Sequence, residues 1–405
     1  MEPKNYLHRN YEARLKDVAT RWPVVTILGP RQSGKTTLAQ EAFPNHAYFS
    51  LERPKTRKMI CEDIEDFLLR DHNAPGIIID EFQLEPEILS YLQVIVDEYR
   101  IKRGDRRPGY FILTGSHNFL MNQYITQSLA GRAYIFHMLP FSLKELSFNQ
   151  LLTNNLDEAI FNGGYADIVC KYIQPEEFYA NYVNTYLERD VRQLDKLVEL
   201  NTFRKFMGLC AIRTGQLLNI NALANDCKIT EKQAHEWLTI LSASYIIVLL
   251  SPYHKNYGKT LVKSPKLYFC DTGLACSLLG IKSAEELSSH DLRGNLFETL
   301  IISEFYKKFY TIGGLTHYIM HFWRDTEGHE LDCLLAYGYN KLVPVEIKSS
   351  DKVSPDFFKG LHYWCDQEEV DYTTGYLIYG GTENQSQARG HIVSWQNAAD
   401  IIQPQ

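Results

Sequence analysis

No run of apolar residues in this chain reaches the length of a membrane-spanning helix, about 20 residues. The longest, Trp237 to Leu250, has 14 residues and is interrupted by Thr239, Ser242 and Ser244. It reads as a buried helix or strand, and no membrane partner is expected. Residues 1–16 are charged throughout and lack an apolar core, so they do not read as a signal peptide. The eight cysteines, at 61, 170, 210, 227, 270, 276, 333 and 365, never form a CxxC pair. That spacing suits neither a disulfide framework nor a zinc site; reduced core thiols and a cytoplasmic protein are the expectation. Internal repeats and low-complexity segments are missing as well. So is an excess of basic charge: 42 Lys+Arg stand against 49 Asp+Glu, a net −7. Residues 290–405 hold 9 of those bases and 16 of those acids, so that third carries the whole imbalance. A broad nucleic-acid footprint is excluded, and any such partner has to be argued locally.

What is present is a balanced globular composition, 45% hydrophobic and 22% charged over 405 residues, which predicts about two to four domains. The first part alternates strand and helix. Val24–Leu28, Ala47–Leu51, Gly76–Ile79, Tyr110–Thr114 and Tyr134–Leu139 read as strands, and Thr36–Phe43 as a helix. Ile88, Leu89, Leu92, Ile95, Val96 and Tyr99 recur at helical spacing. The three isoleucines at 77–79 suggest a strand buried on both faces, as in a parallel sheet. The expected fold is therefore α/β, a parallel sheet with helices on both faces over residues 1–142. A helical lid or linker follows at 143–202, a winged helix at 203–285, and a second α/β domain at 286–405.

Gly29-Pro30-Arg31-Gln32-Ser33-Gly34-Lys35-Thr36 matches G-x-x-x-x-G-K-[ST] between a predicted strand and a predicted helix, with Thr37 next in line. That context is what a phosphate-binding loop requires. Glycines let backbone N–H groups wrap phosphates, and the new helix adds its positive end. Lys35 can reach the β- and γ-phosphates of ATP, and the Thr36 hydroxyl can hold Mg²⁺. The partner motif is Ile77-Ile78-Ile79-Asp80-Glu81. Carboxylates directly after a buried strand emerge at the carboxyl edge of the sheet. Asp80 is placed to act on the Mg²⁺ shell, and Glu81 to orient or deprotonate the attacking water.

These stretches resemble the AAA+ superfamily of ATPases. The whole chain is similar to an uncharacterised prokaryotic group within or near it, which joins the ATPase to a C-terminal domain of unknown function. GPRQSGKTTL, IIIDEFQ, FILTGSHNFL, SLAGR, LPFSLKEL, YLERDVRQL, RTGQLLNINALAND, CDTGLA, GNLFE and FWRDTEGHELDCLL carry the likeness. The resemblance implies a polar sensor of the γ-phosphate at the end of the fourth strand, where Thr114 and Ser116 stand. Many members have Asn there. Arg132 in SLAGR resembles an arginine finger or sensor arginine; a surface ion pair is the alternative reading.

In the middle segment, Thr230 and Gln233 predict a capping box at the start of a helix over Glu231 to about Leu241. With the shorter helix Asn221–Cys227 before it, the pattern is helix-turn-helix. Lys255, Lys259, Lys263 and Lys266 occur with Tyr253, His254 and Tyr257 in a stretch without acids. A wing of that composition could lie along DNA phosphates. The candidate recognition helix carries Glu231, Lys232, His235 and Glu236, which suits a protein-docking role equally.

The C-terminal segment offers Glu298, Asp332, and Glu346-Ile347-Lys348. Residues 346 and 348 share a face of one strand, and a hairpin with its tip at 338–340 would bring Asp332 beside Glu346. Two or three carboxylates with one lysine are what a Mg²⁺- or Mn²⁺-dependent phosphodiesterase needs. The acids hold the metal, and Lys348 orients the water or stabilises the charged transition state. The set looks like a PD-(D/E)xK nuclease core on a restriction-endonuclease-like fold. Two functional readings stand: an ATPase acting on DNA with a metal-dependent nuclease domain, or a nucleotide-switched interaction protein with a non-catalytic C-terminal scaffold. ATP and Mg²⁺ serve both, and oligomers are compatible with either.

Overall fold

Val24–Gly29 forms β1, and all six of its residues are buried. A strand this apolar needs cover on both faces, and the computed structural model supplies it. The structure describes residues 6–70, 72–102, 104, 107–116, 125, 128–187, 199–253, 264–313, 320–337 and 341–402. Four more strands run parallel to β1: β2 (Ala47–Ser50), β3 (Ile77–Asp80), β4 (Phe111–Ser116) and β5 (Ala133–His137). Their order in the sheet is β2-β3-β4-β1-β5. Alternate residues face opposite sides. Val24, Leu28, Ile77, Ile79, Phe111 and Leu113 pack with Phe67, Leu89 and Leu92 on one side. Val25, Ile27, Ile78 and Ile112 pack with Leu15, Leu38 and Ala39 on the other. The expected strands and their order of alternation with helices are therefore present, with ends shifted by one or two residues.

The chain divides into two compact units, Met1–Phe141 with Ala243–Tyr245, and Ser142–Ser242 with Ile246–Gln405. The second opens on the helix Leu143–Phe148, started by a capping box of Ser142 and Glu145. Helices Leu200–Ile212, Ile220–Cys227 and Glu231–Ala243 follow further on, with a small antiparallel sheet of β6 (Gln216–Leu217), β8 (Lys266–Phe269) and β7 (Ile247–Leu250). The Thr230 hydroxyl accepts from the Gln233 N–H at 3.1 Å, as the capping motif predicts. The apolar run from Trp237 to Leu250 serves as both helix and strand: the helix ends at Ala243, Tyr245 turns at φ 56°, and β7 begins at Ile247. Lys255, Lys259, Lys263, His254 and Tyr257 of the expected wing lie outside the described residues. Lys266 does not belong to an exposed wing. It stands in the central strand β8 and is 3% exposed.

After the helix Arg293–Ile312 comes a six-stranded mixed sheet of β9 (Met320–Arg324), β10 (Glu330–Tyr337), β11 (Lys341–Lys348), β12 (Tyr376–Tyr379), β13 (Gln385–Gln387) and β14 (Gly390–Ser394). β10 and β11 form the expected hairpin, pairing Tyr337 with Lys341, while its tip at 338–340 lies outside the described residues. β11 and β12 are parallel, so the chain must cross over, and the helix Lys359–Glu368 makes the crossing. One apolar cluster joins Phe178, Phe203, Trp237, Leu267, Phe297, Cys333, Ile378 and Trp395. All eight cysteines are unpaired thiols. Among the described residues, no helix is long and apolar enough to cross a membrane.

Trp237 is 1% exposed, with the rings of Phe203 and Phe206 edge-on at 5.2 and 5.1 Å. Trp237→Ala should cost about 3–5 kcal/mol. Because the cluster is continuous, hydrogen exchange in β10, β11 and β12 should speed up together with exchange in the helix Glu231–Ala243. Protection of the three strands that stays at the wild-type level would show separate folding units.

Candidate functional site

The loop between β1 and the helix Lys35–Ala42 is shaped by close approach. A Cβ on Gly29 would lie 2.0 Å from the Met138 carbonyl oxygen, which leaves no room for any other residue. Gly34, at φ 89°, caps the helix in the left-handed region. Ser33 donates to the Pro30 carbonyl at 3.0 Å. The Lys35 ammonium, 5% exposed, donates to the same carbonyl at 2.6 Å. The lysine thus rests on its own loop. Arg31 is half-buried, Gln32 is exposed at φ 59°, and Thr37 is exposed in the first helical turn.

Parallel register assembles the rest. Asp80 pairs with Ser50 of β2 and Thr114 of β4, and Ser116 pairs with Gly29. Asp80 is 5% exposed and accepts from three hydroxyls. Thr36 donates to Oδ1 at 2.8 Å, Tyr48 donates to Oδ2 at 2.7 Å, and Thr114 also donates to Oδ1. Burial, then the Asp80 charge, pushes the Tyr48 phenol well above its ordinary range, so it stays a donor. Glu81 follows at φ 57°. Its Oε2 accepts from the Gln83 amide and, at 3.4 Å, from Ser116. Burial raises the Glu81 pKa above the ordinary carboxylate value against the opposing charge of Lys35. Of the two sensor candidates, Thr114 is committed to Asp80, and Ser116 lies between Glu81 and Gly29.

Arg132 is not brought to this cradle. It precedes β5, whose Ala133 pairs with Val24 at the far end of β1, roughly 16 Å along the strand from Gly29. There it binds Asp97 with Nε at 2.8 Å and Nη2 at 2.5 Å. The arginine that does brace the loop is Arg9, 2% exposed. Its Nη1 donates to the Ser33 carbonyl at 2.8 Å, its Nη2 to the Leu139 carbonyl at 2.7 Å, and the guanidinium lies 4.1 Å from the centre of the Phe141 ring. Arg9 and Tyr48 escaped the sequence reading because neither is part of a spaced motif.

In the second unit, Glu298, Asp332, Glu346 and Lys348 are neighbours. The Cys333–Val345 pairing sets Asp332 one step on, beside Glu346. Lys348 donates to Glu346 Oε1 at 2.5 Å and to Asp332 Oδ2 at 3.2 Å, and the Ile347 N–H donates to the same Asp332 oxygen at 2.8 Å. Glu298 joins through two residues that the sequence reading did not place here. Lys266 donates to Glu298 Oε1 at 3.0 Å and lies 2.5 Å from Glu330 Oε1; the Tyr268 hydroxyl donates to Glu298 Oε1 at 2.5 Å. Burial, reinforced at Glu346 by the Asp332 charge, raises the pKa values of both Glu298 and Glu346.

The donor set suits a hard cation such as Mg²⁺ or Mn²⁺ in its chemistry, since it is all carboxylate oxygen. Glu346 Oε2 is buried with no hydrogen-bond partner, as a waiting ligand atom would be. The spacing is looser than a bound ion requires. Among the described residues, the group of three whose ligand atoms all lie within 4.8 Å of one another is Asp325, Glu327 and His329, half-buried to exposed in the β9–β10 turn. The ammonium groups of Lys266 and Lys348 hold the three expected carboxylates instead.

Residues 21–147 match the AAA domain family. Residues 153–285 match a domain of unknown function (DUF8612), and residues 293–397 match another (DUF4143). The chain is 28% identical over 330 residues to Uncharacterized protein Rv2008c of Mycobacterium tuberculosis and, equally, to Uncharacterized protein Mb2031c of Mycobacterium bovis. The matched segment covers 80% of this chain and 70% of each relative. Among solved structures, it is similar to the Walker-type ATPase PABY2304 of Pyrococcus abyssi, at 17% identity and a TM-score of 0.43, covering 68% of this chain and 97% of that one. With the loop and the strand-end carboxylates in place, the first unit is an ATPase-type P-loop domain.

Arg9→Lys keeps the charge but cannot serve both carbonyls with a planar fork. Losing one charge-assisted hydrogen bond behind the loop should weaken nucleotide binding by about ten-fold or more. Titration with a fluorescent ATP analogue measures this, and an unchanged affinity would show that the loop holds its shape without Arg9.

Proposed function

We propose that this chain hydrolyses ATP with Mg²⁺ and couples turnover to a macromolecular partner of its second unit, DNA being the first candidate. The observation that carries the hydrolytic reading is Glu81, a half-buried carboxylate directly after Asp80, held by Gln83 and Ser116. Backbone N–H groups of Arg31 to Thr36 would cradle the phosphates, and Lys35 would leave the Pro30 carbonyl to meet them. Thr36 and Asp80 would hold Mg²⁺, which supplies charge neutralisation at the phosphates when bound. Glu81 takes the proton from the attacking water. Ser116 is the better placed of the two sensor candidates. Arg132 could act only on the nucleotide of another copy, which is the form of oligomer this reading allows.

In the second unit, the helices and three-stranded antiparallel sheet of 200–269 support the winged-helix reading. The mixed sheet with Asp332, Glu346 and Lys348 on one hairpin supports the nuclease-like one. Glu298, Asp332 and Glu346 would be the metal ligands, and Lys348, one-third exposed, the group able to face a phosphate. The second reading, a non-catalytic scaffold serving protein partners, is favoured by one observation: lysines already neutralise the carboxylates. Unpaired thiols support a reducing, cytoplasmic setting.

Lys35→Ala should weaken ATP binding, because the phosphates lose their fixed point charge. Glu81→Gln should bind ATP normally and release no phosphate, since an amide accepts no proton. Equal loss of binding in both variants would make Glu81 structural. The second unit is tested by incubating the full chain with ATP, Mg²⁺ or Mn²⁺, and single-stranded, duplex and branched DNA. Cleavage that is lost in both Asp332→Asn and Lys348→Ala supports a nuclease, and intact DNA throughout supports the scaffold.

A further inference from the structure

We propose that Lys266 is a built-in counter-cation of the C-terminal carboxylate cluster, doing electrostatically what a divalent ion would do there and competing with one. The inference rests on the reading of Glu298, Asp332 and Glu346 as metal ligands. It adds a residue from a different sheet, one that lies 32 positions before Glu298 in sequence.

Lys266 belongs to the middle strand of the sheet β6-β8-β7, paired with Leu217 on one side and Leu250 on the other. Its backbone is therefore fixed, and its side chain shares a face with that of Tyr268, two residues on. Both reach Glu298, and Lys266 also reaches Glu330. At 3% exposure the ammonium cannot face solvent or a phosphate, in contrast to Lys348. A buried ammonium within reach of both Glu298 and Glu330 offsets part of the negative charge that would attract a divalent cation to the same cluster. The unpartnered Glu346 Oε2, on the other side, marks where compensation is still missing. A Cβ on Gly360 would come within 2.9 Å of that oxygen, so the chain crowds it without giving it a donor.

The test uses the full chain without nucleotide, with Mn²⁺ binding measured by calorimetry and melting followed in a chelator and in Mn²⁺. Lys266→Met should bind Mn²⁺ at least about ten-fold more tightly than wild type, because one positive charge close to the ligands is gone. It should melt lower than wild type in the chelator, and Mn²⁺ should recover the difference. Lys266→Arg, which keeps the charge, should track wild type. Lys266→Gln retains donors toward Glu298 and Glu330 without the charge and carries the same test if the methionine variant does not fold. Tight binding by the neutral variants alone supports the inference while removing the metal-dependent reading from the wild type. Binding by wild type with no gain in either neutral variant overturns the inference and leaves that reading standing. Absence of Mn²⁺ binding in all of them overturns both.

Discussion

A carboxylate at the end of an apolar strand has to be compensated where it stands, and the first unit is arranged around that requirement at Asp80. Three isoleucines lead to it, and the residue is 5% exposed. An unpaired charge there would be prohibitive. The compensation comes from hydroxyls on three different elements: Thr36 at the start of a helix, Tyr48 on β2 and Thr114 on β4. Each reaches Asp80 only if β2, β3 and β4 hold their parallel register and the loop after β1 takes its left-handed turn at Gly34. The site and the fold are thus one constraint seen from two sides. Hydroxyls are also neutral donors, so the cradle keeps its negative charge available for a cation.

How much of this was legible in the sequence depended on how local each feature is. The phosphate loop and the Asp80–Glu81 pair are contiguous, and the apolar runs beside them define strand and helix, so their place in the fold could be read directly. The Asp332–Glu346–Lys348 group was readable because period-two alternation and one hairpin fix three residues at once. Glu298 needed only a helix nearby. What could not be read is contact between elements far apart in sequence. Arg9 lies 130 residues from the Leu139 carbonyl it donates to. Lys266 looked like one of four exposed lysines because a charged residue in an acid-free stretch carries no mark of burial. Its neighbours Leu267 and Phe269, both fully buried, were the available sign that it sat in a central strand.

Beyond Asp291 the sequence suggests helix, hairpin, strand and helix, without ranges for β9, β12, β13 or β14, for a related reason. β12 and β14 are short and buried, and they are held by pairing with β11 and with each other more than by any pattern of their own. Arg132 shows a different limit of local reading. A motif resemblance suggested a catalytic place, while the register Ala133–Val24 puts the residue at the other edge of the sheet, where Asp97 engages it. Its sequence neighbourhood carries no information about which edge that is, because the direction of a strand is a property of the sheet.

Set beside Asp80, the C-terminal cluster solves the same problem in a different way. Its acids are compensated by ammonium groups, Lys266 from within and Lys348 from the exposed side. Hydroxyl donors leave a carboxylate's charge in place and so favour an incoming cation. Ammonium donors cancel it, so an incoming cation must displace or outbid them. On the reading proposed above, the first unit would take a metal with its phosphates without losing a donor. In the second, a metal-dependent activity would require the ammonium groups to yield. That difference follows from which donors reach the acids: neutral hydroxyls at Asp80, ammonium groups at Glu298, Asp332 and Glu346.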